Sequence, residues 1–156
     1  MSNIEATIQS VCNLMGRKLS IPSYQRPYRW NTKNVRQLLD DILSNKNAGK
    51  DRYRIGSVIL HKNGDNYDIV DGQQRITTIS LLILAAIQAY KDGFIACDGG
   101  EEYVNDMTNK YLKAKDKKGD RKIKLRPIES DRIAYDALMK GDSENIVPAD
   151  KSGITL

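Results

Sequence analysis

The chain has 156 residues, 40% hydrophobic and 29% charged, which is the composition of one soluble globular domain. Its 25 lysines and arginines outnumber 20 aspartates and glutamates, and the net charge of +5 permits an anionic partner such as nucleotide or nucleic acid. The single histidine, His61, excludes a two-histidine metal site or an HNH nuclease centre, and the phosphate-loop pattern GxxxxGK[ST] is absent. No apolar run reaches the ~20 residues of a membrane span, and Cys12 and Cys97 have no metal-binding spacing, so a cytoplasmic location is expected.

Apolar periodicity predicts two helices, a short strand and a hairpin in the first half of the chain. The first helix ends before Gly16 and places Cys12 on its apolar face, so we interpret Cys12 as a core residue. Thr32 is the predicted cap of the second helix, and the pair Asn63-Gly64 is typical of a hairpin turn. The predicted segments are helix 3–15, strand 17–21, helix 32–44 and strands 53–61 and 66–70.

The second half begins with a segment that is apolar nearly all round, as in a helix buried against a sheet. A charged stretch further along is interpreted as a solvated loop. The order of mixed α and β elements predicts a small α+β domain. The predicted segments are helix 76–90, helix 104–111, the charged stretch Lys113–Lys124, strand 123–125 and helix 132–139, the last capped by Ser130 or Asp131.

The segment IPSYQRPYRW, residues 21–30, collects groups that surface loops seldom combine. Gln25 and Arg26 supply amide and guanidinium donors, and a guanidinium binds phosphate through two parallel hydrogen bonds. The alternative is a proline-braced loop whose aromatic residues cover the core. The aromatic rings and the further cation suited to stacking on bases and contacting phosphate are Tyr24, Tyr28, Arg29 and Trp30.

The segment DIVDGQQRITTISLL, residues 68–82, joins a strand to the buried helix through a tight turn. Free backbone N–H groups and the positive end of the helix dipole favour an anion there, and Gly72 allows a ligand to approach the backbone closely. Arg75 adds a charge-assisted hydrogen bond, and Thr77 and Thr78 either cap the helix or donate hydroxyl groups to a phosphate. Asp71 either holds a divalent cation or orients Arg75. The alternative is a capped turn with surface glutamines.

Together, IPSYQRPYRW and VDGQQRITT, with YRIGSVIL between them, resemble the N-terminal domain of the DUF262 family. This family is related to the ParB/sulfiredoxin fold and includes the S half of GmrSD-type modification-dependent restriction enzymes. The resemblance covers most of residues 15–90 and extends through KIKLRPIESDRIAYDALMKG. It implies a small mixed sheet flanked by helices, with a ParB-like core over residues 1–95 and, over 96–156, the start of a helical extension that we expect to be truncated.

The resemblance further implies a nucleotide-binding pocket, coupled to recognition and cutting of modified DNA in a restriction or phage-defence system. The implied cofactors are Mg²⁺ and a nucleoside triphosphate, with GTP, ATP, CTP and UTP all left open. The implied partners are DNA and a separate HNH-type (DUF1524) nuclease domain or subunit, so the chain is not expected to cut DNA by itself. A homodimer is left open, and no membrane partner is expected. The implied pocket residues are Gln25, Arg26, Asp71, Gly72, Gln73, Gln74 and Arg75.

One hypothesis is therefore an NTP-hydrolysing module whose catalytic residues are Asp71, Gln74 and Arg75. Arg26 and Arg75 neutralise phosphate charge, Asp71 holds Mg²⁺, and Gln74 orients the attacking water.

The alternative is a DNA-binding module without hydrolysis, in which Tyr24, Tyr28, Arg29, Trp30 and the basic stretch Lys113–Lys124 contact the nucleic acid. A sulfiredoxin-like reductase is rejected, because Gln73 and Gln74 stand where that activity requires a reactive cysteine.

Overall fold

A computed structural model describes residues 4–115 and 118–141, and the structural statements that follow concern these residues. Five α-helices and six short strands lie along them. The elements are α1 (Val11–Met15), β1 (Leu19–Ser20), α2 (Thr32–Asn47), β2 (Ile59–Asn63), β3 (Asn66–Asp71), α3 (Gln73–Lys91), α4 (Gly100–Met107), a π-helical turn (Thr108–Leu112), β4 (Lys113–Lys115), β5 (Arg121–Ile123), β6 (Leu125–Arg126) and α5 (Glu129–Lys140).

The main sheet has four strands in the order β2-β3-β1-β6. β1 runs parallel to both β3 and β6, with Leu19 opposite Tyr67 and Leu125, whereas β2 and β3 form an antiparallel hairpin. Because β1 and β3 are parallel, their carboxyl ends lie at the same edge of the sheet. The segment that leaves β1 at Ile21 and the turn that leaves β3 at Asp71 therefore emerge side by side.

The core forms on one face of this sheet, where alternate strand residues such as Leu19, Ile69 and Leu125 are almost fully buried. They belong to one apolar cluster with the buried faces of α3 and α5. Two polar groups are buried in this core as a pair, since the Tyr135 hydroxyl donates to Ser80 Oγ at 2.9 Å. Burial raises the pKa of Tyr135, so this hydroxyl stays protonated as a donor.

The α+β class, the β2–β3 hairpin and the long helices α2 and α3 are confirmed by the structure. The predicted N-terminal helix is much shorter than expected. This helix begins only at Val11, where Ser10 Oγ caps it by accepting from the Asn13 N–H. Ile4 and Ile8 are exposed, and Cys12 is exposed as well, so the interpretation of Cys12 as a core residue is wrong. The apolar residues Ile4 and Ile8 have no protein surface to pack against, and helical periodicity alone does not stabilise a short helix.

The charged stretch after residue 112 is a second correction, because it contains the antiparallel hairpin of β4 and β5. Lys113 pairs with Ile123 and Lys115 with Arg121. The predicted strand over 53–61 is shorter than expected and begins at Ile59. Pairing with each other decided the position of β4 and β5, since their charged sequences show no apolar alternation.

Two helix caps also differ from prediction. Asn31 caps α2 in a reciprocal capping box with Asn34, and α5 begins at Glu129 after Ile128. The expected domain division after residue 95 stays a prediction, and the tail from residue 142 lies outside the described residues. None of the described helices is long and apolar enough to cross a membrane.

Candidate functional site

Residues 21–30, called here the proline loop, are tied to the end of β3 by the side chain of Gln25. Its amide Nε2 donates to the Val70 carbonyl at 2.7 Å, and its Oε1 accepts from Gln73 Nε2 at 3.1 Å. The amide thus joins the loop after β1 to the strand end and to the first residue of α3. The two motifs that stood out in the sequence form one site at this edge of the sheet.

Gln74 fixes the second half of the proline loop. Its Oε1 accepts from the backbone N–H groups of Arg29 at 2.6 Å and Trp30 at 3.2 Å, and its Nε2 donates to the Pro27 carbonyl at 3.1 Å. Only 6% of Gln74 is exposed. Its amide therefore satisfies three backbone groups of the proline loop, and both lone pairs of its oxygen are occupied.

Tyr28 anchors the same loop to the core through both its backbone and its side chain. The Tyr28 N–H donates to the buried carboxylate of Asp131 at 2.7 Å. Its hydroxyl lies 2.7 Å from Thr78 Oγ1, which donates to the Gln74 carbonyl, so Tyr28 is the donor in the first bond. Burial is the largest cause of a raised pKa at Tyr28, with the Thr78 bond acting in the opposite direction. The ring of Tyr28 consequently covers the core and offers no surface for stacking on a base.

The first turn of α3 presents backbone donors that no side chain caps. Gly72 precedes the helix with φ of 96° and no capping side chain, and the first intrahelical bond runs from Ile76 N–H to the Gly72 carbonyl. The N–H groups of the three residues in between have no helical partner. Asp71 is exposed, and one of its carboxylate oxygens accepts from the Gly72 N–H at 2.9 Å.

Two guanidinium groups converge beside this helix start, on Ser57. Arg75 Nη1 donates to the Ser57 carbonyl at 3.3 Å, and Arg54 Nη2 donates to Ser57 Oγ at 3.2 Å. The Arg75 guanidinium lies so close to Gly56 that a Cβ there would be 2.7 Å from Cζ. The remaining donors of Arg75 have no partner among residues 4–115 and 118–141. The site therefore combines orphan N–H groups with two cations, which suits an anion such as phosphate.

Replacing Gly56 with alanine is expected to displace the Arg75 guanidinium while leaving the fold intact. The new Cβ would meet the flexible end of a side chain, and the strain of a φ of 124° adds about 1 kcal/mol or more. We expect at least a roughly tenfold loss of triphosphate affinity by calorimetric titration, the size of a weakened charge-assisted bond. In an Arg75→Ala background the same change should cost no further affinity. Additive losses would contradict the contact.

The sequence-predicted residues divide by burial. Tyr24, with 72% of its surface exposed, Arg26, Arg29 and Asp71 face solvent at the site, and Arg75 is half-buried beside it. Gln73, Gln74, Thr77, Thr78 and Tyr28 are buried, and Trp30 is partly buried against the core. Sequence reasoning missed Arg54, Gly56 and Asp131. A glycine next to a β-rich segment in YRIGSVIL was the available signal for Gly56, whereas nothing local marked Asp131.

Asp71 is the metal ligand that the sequence suggested, and its chemistry fits Mg²⁺ in one respect. Mg²⁺ in nucleotide sites is held by one or two carboxylates together with phosphate oxygens and water, and Asp71 supplies one exposed carboxylate at the helix start. Over the described ranges, no group of three or more histidine, cysteine, aspartate or glutamate residues lies close enough to form a cage made of protein ligands alone. The fit is therefore to a cation brought with a phosphate ligand.

A small mixed sheet flanked by helices, with the proline loop and the β3–α3 turn side by side at the carboxyl ends of two parallel strands, defines this as an α+β domain. The chain matches the family described as GmrSD restriction endonuclease, N-terminal domain, over residues 8–153, and it belongs to that family. It is thereby part of a restriction or phage-defence system. No curated protein matches the chain.

Proposed function

We propose that this domain binds a nucleoside triphosphate, with its phosphates at the first turn of α3, as the nucleotide-binding module of its restriction system. The observation that carries the proposal is the convergence of Arg54 and Arg75 on Ser57, beside an uncapped helix start preceded by Gly72. Orphan N–H groups and guanidinium groups together are the usual protein ligands of phosphate.

Within this proposal the exposed and the buried residues of the two motifs have distinct tasks. Arg26, with no side-chain partner among the described residues, contacts the phosphates from the proline loop. Asp71 would hold Mg²⁺, which supplies charge neutralisation at the phosphates when it is bound. Gln74 positions the proline loop, because its oxygen already accepts two N–H groups. Thr77 and Thr78 are almost fully buried, and the proposal therefore assigns them to the core and not to phosphate binding.

Hydrolysis is the second part of the proposal, and Asp71 and Arg75 are its candidate catalytic residues. Phosphoryl transfer depends mainly on positioning and on stabilising negative charge, which a cation at Asp71 and the Arg75 guanidinium would provide. Coupling to a separate HNH-type nuclease domain then links nucleotide use to DNA cutting. Membership in a family of restriction endonuclease N-terminal domains supports this coupling.

The test is calorimetric titration of the chain with GTP, ATP, CTP and UTP, each with and without Mg²⁺. Arg75→Ala is expected to weaken the preferred nucleotide between about tenfold and more than a hundredfold, corresponding to about 1.5–3 kcal/mol, with little loss of stability. Arg121→Ala on β5 removes the same charge outside the site and should bind as the parent does. Unchanged affinity of Arg75→Ala would remove Arg75 from the site, and binding of none of the four nucleotides would overturn the proposal.

A further inference from the structure

The sheet has a second polar region, on the face opposite the core. Strand residues alternate between faces, so the neighbours of buried Leu19 and Leu125 point away from the core. Ser20 pairs with Asp68 on one side and with Arg126 on the other, which places these three side chains together on this face.

A cleft of about 510 Å³ lies over this face, between the sheet and the β4–β5 hairpin. Of the described residues that line it, five carry cationic side chains and one, Asp68, carries a carboxylate, which accepts from the Asn63 amide at 2.9 Å. The cationic residues are Lys18, Lys115, Lys122, Lys124 and Arg126.

One of the positive charges of this cleft, that of Lys124, is held in place by backbone carbonyl groups. Lys124 is half-buried, and its Nζ donates to the Gly16 carbonyl at 3.0 Å and to the Lys110 carbonyl. This ammonium joins the segment before β1 to the π-helical turn before β4. Lys18, Lys115 and Arg126 are exposed, so their charged groups face solvent. The cleft thus combines one ammonium group held by two backbone carbonyls with three exposed cationic groups.

We propose that this basic cleft binds the phosphate backbone of duplex DNA. The inference rests on the proposed function in one respect, namely that the restriction system acts on DNA. Among the residues that the structure describes, the lining contains no aromatic side chain and so offers no platform for stacking the bases of a nucleotide or a single strand. It does contain cations together with the hydroxyl of Ser20 and the amide of Asn66, the groups that contact phosphate oxygens in protein–DNA complexes.

The cleft and the nucleotide site are separate. The cleft includes the start of β3 at Asn66, whereas the nucleotide site begins beyond its end at Asp71, and no residue is shared. DNA and nucleotide would therefore occupy different parts of one sheet. Binding to the cleft is expected to be independent of base sequence, because its contacts are to the backbone.

The test measures fluorescence anisotropy of a labelled duplex of about 20 base pairs over salt concentrations from about 50 to about 200 mM. Each neutralised phosphate contributes a slope of about 0.9 to the plot of log affinity against log salt. The triple variant Lys18→Ala, Lys115→Ala, Arg126→Ala should bind at least about tenfold more weakly and reduce that slope by about 2 to 3. The matched control Lys33→Ala, Arg36→Ala, Lys46→Ala removes three exposed charges from α2, outside the cleft, and should retain most of the affinity and slope.

Equal weakening by the two triple variants would overturn the proposal, because net charge alone would then explain binding. Stronger competition by poly-glutamate than by unlabelled duplex would assign the cleft to an acidic protein surface instead. Calorimetric titration with nucleotide separates the two proposals, since the cleft variant should bind nucleotide as the parent does. A parent chain that binds nucleotide but not the labelled duplex overturns only the cleft, and a parent chain that binds the duplex through the cleft but no nucleotide overturns only the nucleotide site.

Discussion

Gly72→Val is expected to lower the free energy of unfolding by about 2 to 5 kcal/mol and to abolish nucleotide binding. Gly72 has φ of 96°, a conformation that a β-branched residue strongly disfavours. A Cβ there would lie 3.0 Å from Val58 Cγ2 and 3.2 Å from the Ser57 carbonyl oxygen. The side chain would thus push the segment that bonds Arg75 away from the start of α3, so stability and binding should fall together.

Gly64→Val is the matched control, because Gly64 lies in the hairpin turn with φ of 60° and open space around its Cβ position. It carries the conformational strain without the contact, and we expect about 1 to 2 kcal/mol of destabilisation with unchanged binding. Adding Val58→Ala to Gly72→Val should restore part of the lost stability. Chemical denaturation measures all three. Equal losses in the Gly72 and Gly64 variants would show that close packing at Gly72 has no part in the effect.

Gln74→Leu is expected to destabilise the chain by about 2 to 4 kcal/mol, although leucine is similar in size. The change leaves the Arg29 and Trp30 N–H groups and the Pro27 carbonyl without their partner, in a part of the loop that is only partly accessible to water. Buried groups left unsatisfied cost more than a hydrogen bond contributes. Trp30 is the sole tryptophan of the chain, so its fluorescence emission reports directly on release of the loop.

Gln37→Leu is the control for this variant, since the Gln37 amide bonds Asp41 on the exposed surface of α2. It should change the free energy of unfolding by less than about 0.5 kcal/mol. Gln74→Glu keeps an acceptor at a helix start that favours negative charge, and it should be less destabilising than Gln74→Leu. A Gln74→Leu chain with the stability and Trp30 emission of the parent would show that the proline loop does not depend on this amide.

In the proposed site, few residues would contact a ligand and many support the residues that do. The side-chain amides of Gln25, Gln73 and Gln74 bond to backbone groups and to each other, and Asp131 bonds to the same loop from a distant helix. Arg26, Arg75 and Asp71 are the residues that would contact the proposed ligand. Rigid support of this kind would keep the proposed phosphate site in position without the ligand present.

The sequence by itself determined the α+β class, the hairpin around Asn63-Gly64, the long helix α3 and the order of the two motifs. These features depend on periodicity and turn chemistry within about 20 residues, and such local preferences are written directly in the chain. The family resemblance was also available from the motifs alone, and the match over residues 8–153 confirms it.

Only the tertiary structure decided which motif residues face solvent and which face the protein. Gln74 and Thr78 look like ligand donors in the sequence, but the proline loop takes their hydrogen bonds from 44 to 50 positions away. The bond between Asp131 and Tyr28 spans 103 positions, and the pairing of Ser20 with both Asp68 and Arg126 brings residues of three separate strands together in the basic cleft. The local sequence pattern specifies on which face of its helix or strand a residue lies. Whether that face is buried or exposed depends on segments that are distant in the chain.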